Sequence, residues 1–220
     1  IAMEKHAPPL AFRVRPASLQ DLIGQEAAKA YIEEFGKGSR SSAILWGPPG
    51  SGKTTVAHII ERLFPDDYVP LSAVTSGVQD LRRVTGRAEA TDTTPILFID
   101  EIHRFNKAQQ DAFLPFVEKG AITLIGATTE NPSFEVNGAL LSRCKVFVLK
   151  ALTEGEVAQL MRRALDDPRG FGGQDVRIAD DLLTAIAAFS NGDARRALST
   201  LEMVVLNGEE QDGPIMVSPE

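Results

Sequence analysis

The run Ala43-Ile44-Leu45-Trp46 passes without a break into Gly47-Pro48-Pro49-Gly50-Ser51-Gly52-Lys53-Thr54-Thr55 and then into an amphipathic segment, Lys53 to Phe64. Apolar strand, Gly-x-x-x-x-Gly-Lys-Thr, helix: few local patterns restrict a fold so tightly, because a buried strand feeding a helix in this way belongs to a parallel α/β sheet. The loop also implies its ligand. A nucleoside triphosphate presents several anionic oxygens in a small volume. Its cradle therefore needs converging backbone N–H groups with no side chains in the way, and a helix N-terminus aimed at the charge. Gly47, Gly50 and Gly52 supply bare backbone, and Pro48, Pro49 and Ser51 complete the loop. Lys53 is expected to reach the β- and γ-phosphates as a point charge. Thr54 is expected to bind Mg²⁺ through its hydroxyl, with Thr55 beside it in the first helical turn.

Four further apolar runs, Tyr68–Leu71, Ile96–Ile99, Ile122–Ala127 and Val146–Leu149, alternate with helical patterns. Continuous apolarity suits strands covered on both faces, and alternation with helices suits crossover connections. The fold class expected is α/β: a three-layer αβα core with a five-stranded parallel sheet over residues 1–150. From Thr153 the periodicity is helical only, at Thr153–Leu165, Ala179–Phe189 and Ala194–Leu206, which predicts a small all-α lid subdomain over 151–220 with a Gly-rich loop at Arg169–Gly173. Ile215-Met216-Val217 has nothing after it to cover it, so a further C-terminal region is expected in the natural protein.

Ile96-Leu97-Phe98-Ile99-Asp100-Glu101 reads as a buried strand delivering two acids at its C-terminal edge, where open α/β sheets bind ligands. Asp100 would hold Mg²⁺ and Glu101 would polarise the attacking water. No Asn-Lys-x-Asp guanine-selective sequence is present, which favours ATP over GTP.

Bulk properties narrow the class. With 220 residues, 43% hydrophobic and 24% charged, the chain suits one α/β core plus a smaller helical piece. No apolar run approaches the ~18 residues that a membrane span needs. The single Cys144 excludes an intrachain disulfide and fits a reducing compartment, and the polar, proline-broken N-terminus does not read as a secretory signal. A cytoplasmic location is expected. The net charge of −7 argues against a generally basic nucleic-acid coat, so any contact with DNA must be local.

Gly126-Ala127-Thr128-Thr129, Leu140-Leu141-Ser142-Arg143-Cys144 and Gly192-Asp193-Ala194-Arg195-Arg196-Ala197-Leu198, in this order behind the two acidic residues, resemble an AAA+ ATPase of the clamp-loader-like branch. Ser72–Val78, His103–Pro115 and Gly126–Glu135 more narrowly resemble the replication-associated recombination protein A family, also called maintenance of genome stability protein A, which includes the eukaryotic Werner-helicase-interacting ATPase. The resemblance implies that Thr129 is the first sensor, Arg143 the arginine finger that acts on a neighbouring subunit's nucleotide, and Arg195 the second sensor, with Arg196 as its substitute. It implies that Ile23 and Gly24 line the adenine, with Arg15-Pro16 just ahead, and that Ser72 restrains Glu101 until DNA binds. Read without the family, Arg143 is equally a solvated helix-end cation, and Arg195 and Arg196 an ordinary charged helix face.

The resemblance further implies a DNA-dependent ATPase acting in replication-fork maintenance, recombination and repair, on single-stranded or forked DNA, near the nucleoid. It implies homo-oligomers when the C-terminal region is present, and contact with single-strand-binding or other replisome proteins. The residues suggest one local DNA surface, Thr75-Ser76-Gly77 ahead of a helix carrying Arg82 and Arg83, and the same residues also suit a plain helix N-cap. His103 reads as a structural hydrogen-bonding residue, and Phe113, Leu114 and Phe116 as core. The stretch between Gln25 and Ala43 is shorter than the family's and lacks its His-Leu-Leu-Gly linker. A sliding-clamp-loader subunit, a Holliday-junction branch-migration motor and a nucleotide-gated scaffold are the alternatives.

Overall fold

The computed structural model describes residues 8–72, 78–210 and 215–217. In chain order, α1 (Leu10–Arg13), α2 (Glu26–Gly36), β1 (Ala43–Trp46), α3 (Lys53–Leu63), β2 (Tyr68–Ser72), α4 (Val78–Thr91) and β3 (Ile96–Asp100) are followed by α5 (Lys107–Glu118) and β4 (Thr123–Thr128). Two short helices, α6 (Pro132–Glu135) and α7 (Gly138–Leu141), lead to β5 (Lys145–Val148). Then come α8 (Glu154–Asp166), β6 (Val176–Ile178), α9 (Asp180–Phe189), α10 (Ala194–Leu206), β7 (Glu209–Glu210) and β8 (Ile215–Val217).

The chain divides into two compact units. One comprises Pro16–Pro48 and Gly52–Lys150; the other comprises everything from Ala151, the N-terminal segment through Arg15, and the loop tip Pro49–Ser51.

The first unit is built on a five-stranded sheet in the order β2-β3-β4-β1-β5, parallel throughout. Side chains alternate across it. Ala43, Leu45, Ile96, Phe98, Ile125 and Ala127 face Tyr31, Ile32 and Phe35 of α2 and Ile59 and Ile60 of α3. Ile44, Leu97, Ile99 and Leu124 face Leu81 of α4, Phe113 of α5 and Leu140 of α7. Two covered faces explain why the central strands read as unbroken apolar runs. The edges differ: β2 carries Pro70, and β5 exposes Val146 and Val148. An Asn106–Gln109 capping box starts α5, and the Ser42 hydroxyl accepts from the Leu124 N–H at 2.9 Å, tying the approach to β1 to β4.

The second unit contains the three predicted helices, with a Thr153–Glu156 capping box opening α8. It adds a three-stranded sheet, order β6-β8-β7, in which β8 runs parallel to β6 and antiparallel to β7. The helical periodicity did not announce these strands, because none exceeds three residues and β6 meets its partner β8 only across α9 and α10. Ile215 and Val217 are therefore covered within this unit. The N-terminal residues expected within the core pack here instead: Leu10 is fully buried against Met161, Phe171 and Leu201, and Arg13 pairs with Glu202 at 3.1 Å. The Gly-rich segment is a turn that buries Phe171, whose N–H donates to the Ala164 carbonyl at 3.0 Å.

Candidate active site

β3, β4 and β1 are neighbours in the sheet, and loops at the C-terminal edge of such a sheet collect ligands. With strands about 4.8 Å apart, the ends of β3 and β1 lie roughly 10 Å from each other, so acids on one and the loop after the other can serve one ligand.

The loop leaves β1 at Gly47, whose N–H donates to the Thr128 carbonyl at 3.1 Å and so ties the loop to β4. Gly50 (φ 74°) and Gly52 (φ 111°) hold left-handed backbone that other residues resist. Gly52 is the N-cap of the 11-residue helix α3 and has no side chain to cap the first-turn amides, which suits an anion there. Lys53 is only 8% exposed, and its ammonium donates to the carbonyls of Gly47 at 2.6 Å and Pro48 at 2.8 Å. A carbonyl orients an ammonium without cancelling its charge. Thr54 and Thr55 stand half-buried in the same turn. Bare left-handed backbone, an uncapped helix and a sequestered cation fit a nucleoside triphosphate.

β3 stays buried through Ile99 and surfaces at Asp100, whose Oδ1 accepts from the Glu101 N–H at 3.0 Å. Ser72 stands opposite Asp100 in register on β2. Glu101 adopts left-handed backbone (φ 51°), unusual for a residue with a side chain, which turns the chain into a 3₁₀ turn at Ile102–Arg104. Such strain amounts to about 1–3 kcal/mol and persists only where the surroundings enforce it. Here buried Ile102 is the anchor. It packs on Gly126 of β4, where a Cβ would stand 2.9 Å from the Cδ1 atoms of both Ile102 and Ile44. The Glu101 carboxylate pairs with Arg104 Nε at 2.9 Å.

Thr129 follows the end of β4 and is exposed, whereas Thr128 is buried, with its Oγ1 2.9 Å from His103 Nδ1 and accepting from the Glu130 N–H at 3.0 Å. His103 thus fastens the turn after β3 to β4, the structural role expected of it. Arg143, just after α7, donates to the Ala139 carbonyl at 2.7 Å and pairs with Glu118 of α5 at 2.7 Å. The loop that leads into α7 is organised by buried Gln110, which donates to the carbonyls of Phe105 and Glu135 and accepts from the Asn137 N–H at 2.7 Å.

Ile23 and Gly24 precede α2. Next to them both ends of the Gln25 amide bond the Lys150 backbone, at 2.7 and 3.2 Å, and this ties the segment to the end of β5. Arg195 lies in the first turn of α10 and is exposed, while Arg196 sits over the Phe189 ring at 5.4 Å. Thr75, Ser76 and Gly77 lie outside the described residues. Among the described residues no group of three or more His, Cys, Asp or Glu side chains could hold a metal. A Mg²⁺ held by one carboxylate, one hydroxyl and substrate phosphates requires no such group.

The structure brings the phosphate loop and the Asp100–Glu101 pair to one sheet edge. The sequence reading missed Arg104, Glu118, Gln110 and the Gln25–Lys150 pair. Only Arg104 left a local signal, its three-residue spacing from Glu101.

Residues 43–152 match the ATPase family associated with various cellular activities (AAA). The chain belongs to this family of ATPases. Over 221 aligned residues it is 50% identical to the replication-associated recombination protein A of Escherichia coli K12, covering 96% of this chain and 49% of that protein. It is 44% identical to ATPase WRNIP1 of Dictyostelium discoideum over 94% of this chain and 25% of that one. The chain thus spans about half the length, or less, of these curated relatives. Among solved structures it is similar to the Thermotoga maritima RuvB Holliday junction branch migration motor, with a TM-score of 0.71 and 29% identity, covering 89% of this chain and 67% of that chain. The family resemblance drawn from the motifs and the five-stranded parallel fold are both borne out.

Proposed function

We propose that this chain is the Mg²⁺-dependent, DNA-stimulated ATPase module of a protein that acts in replication-fork maintenance, recombination and repair. The observation that carries the reading is the conjunction, at one sheet edge, of a left-handed glycine loop latched by buried Lys53 and the paired acids Asp100 and Glu101.

Lys53 and the first-turn amides of α3 hold the β- and γ-phosphate oxygens. Held by Thr54 and Asp100, Mg²⁺ supplies charge neutralisation at the phosphates. Glu101 orients the attacking water and accepts its proton, and Thr129 donates a hydrogen bond to that water or to the γ-phosphate. Arg143 exchanges Glu118 for the γ-phosphate held by a second copy of the chain. Arg195 and the Ile23-Gly24 segment serve nucleotide binding. For DNA, Arg83 is tied to Asp80 at 3.2 Å, so Arg82 and the segment Thr75–Gly77 carry the proposed contact. Homo-oligomers and single-strand-binding or replisome proteins are the proposed partners. No helix among the described residues is long and apolar enough to cross a membrane.

The test is ATP hydrolysis by wild type and Glu101→Gln, with nucleotide affinity measured alongside, in the presence of forked, single-stranded and blunt duplex DNA. Retained binding with lost turnover in the variant, and stimulation by forked or single-stranded DNA, is expected; full turnover in the variant sinks the assigned base. The likeness to RuvB supports a second reading, branch migration, and preferential stimulation by a four-way junction would favour it.

A further inference from the structure

We infer that Gln25 is a positioning residue for the nucleotide base: its side-chain amide clamps the Ile23-Gly24 segment to the backbone of Lys150 and so holds that segment beside the phosphate loop. This rests on the reading of Ile23 and Gly24 as the residues that line the base.

Two fixed points flank those two residues. On one side Leu22 is buried in the core formed with Tyr31 and Ile32 of α2. On the other, Gln25 Nε2 donates to the Lys150 carbonyl at 2.7 Å and Gln25 Oε1 accepts from the Lys150 N–H at 3.2 Å, across 125 residues of chain. One amide thus takes up both backbone groups of one residue, a pairing that sets orientation as well as distance. Gln25 is also the N-cap residue of α2, yet its side chain makes no capping bond to that helix. The backbone bears the mark of this clamp. Gly24 (φ 69°) and Gln25 (φ 58°) are left-handed in succession, a conformation that glycine adopts freely and a residue with a side chain keeps only where its surroundings enforce it.

Lys150 is a suitable anchor because its neighbour already touches the phosphate loop. The Leu149 N–H donates to the Trp46 carbonyl at the end of β1 at 2.7 Å, and the Leu149 side chain lies against Gly52, where a Cβ would stand 4.0 Å from its Cδ2. Gly52, Leu149, Lys150 and Gln25 therefore form one run of contacts from the N-terminus of α3 to the base-lining segment, all within the first unit. A segment held in place before the ligand arrives needs no ordering when it binds, and that pre-organisation shows as affinity for the base rather than for the phosphates.

The experiment measures affinity for Mg·ATP and for the Mg²⁺ complex of ribose triphosphate, which lacks only the base, together with single-turnover hydrolysis at saturating Mg·ATP. Wild type is compared with Gln25→Ala, Gln25→Glu and Gln25→Gly, and a melting temperature is taken for each. Alanine removes the clamp, and glutamate keeps its length but turns an oxygen towards the Lys150 carbonyl. Glycine removes the clamp while relieving the left-handed backbone, which guards against a fold too unstable to test. All three should weaken Mg·ATP binding about three- to thirty-fold, the worth of one to two hydrogen bonds. Affinity for ribose triphosphate and the rate at saturation should stay within about two-fold of wild type. A wild-type preference for ATP over ribose triphosphate in both Gln25→Ala and Gln25→Gly overturns the role of Gln25 while leaving the base-lining segment. Equal losses for the two ligands make the clamp a support of the phosphate loop and overturn it too. Wild type that binds the two ligands equally overturns the reading of Ile23 and Gly24 itself.

Discussion

Replacing Lys53 by methionine separates two jobs that one ammonium could do. Lys53 bonds the Gly47 and Pro48 carbonyls at 2.6 and 2.8 Å and is 8% exposed. If the cation mainly latched the loop, losing two charge-assisted hydrogen bonds at about 1.5–3 kcal/mol each would dominate. Against this stands the desolvation of a buried ammonium, itself several kcal/mol, which methionine of similar length relieves. The terms nearly cancel, so folding stability should move by no more than about 1 kcal/mol, or roughly 2–4 °C in melting temperature for a chain of this size. Nucleotide affinity has no such offset. Loss of one charged contact at about 1.5–3 kcal/mol weakens Mg·ATP binding roughly 10- to 150-fold. Calorimetric titration with Mg·ATP and a thermal melt on the same preparation read both quantities. An affinity within two-fold of wild type would remove Lys53 from the phosphates. A melting temperature lower by more than about 8 °C would make it chiefly a structural latch.

Gly126→Ala should destabilise by about 1–3 kcal/mol, because the new methyl meets Ile102 and Ile44 in a packed layer, and it should also lower turnover by disturbing the turn that carries Glu101; denaturant melts and ATPase rates check both. Gln110→Leu strands two carbonyls and one N–H around the loop before α7 and should lower stability by at least about 2 kcal/mol, read from the urea midpoint. Burial pushes the Cys144 thiol from 9.0 up to about 11, and burial first, with the Cys144 charge second, raises the Tyr31 phenol further. The unfolded chain then releases these protons at lower pH than the folded one. Their contribution is whole below pH 9.0 and is lost as pH rises through about 11 and beyond, so stability should fall across that alkaline window and Cys144→Ala should flatten its first part.

Much of the architecture was legible because its causes are local. The five strands lie within a residue or two of the apolar runs, and the central ones read most plainly because strands covered on both faces tolerate no polar alternation. The apolar stripe from Thr153 announced α8, which starts where that periodicity begins. The phosphate loop was legible because its chemistry resides in its own glycines and lysine. What escaped notice depends on residues far apart in sequence. The β6-β8-β7 sheet pairs β8 with β6 across the whole of α9 and α10, with strands too short for any period to show. Leu10 and Arg13 belong with α8 and α10 for reasons that lie wholly in their partners.

From the sequence alone came the presence of a phosphate cradle, the two acids at a strand end and the α/β class, because backbone freedom, charge and periodicity are properties of neighbouring residues. Tertiary structure alone decided the order β2-β3-β4-β1-β5 that puts β3 two strands from the loop. It alone decided the Gly126 contact that holds Glu101 in left-handed backbone, and the pairing of Arg143 with Glu118. These depend on which distant segments pack together, and packing is selected by the whole core at once, so no local stretch encodes it.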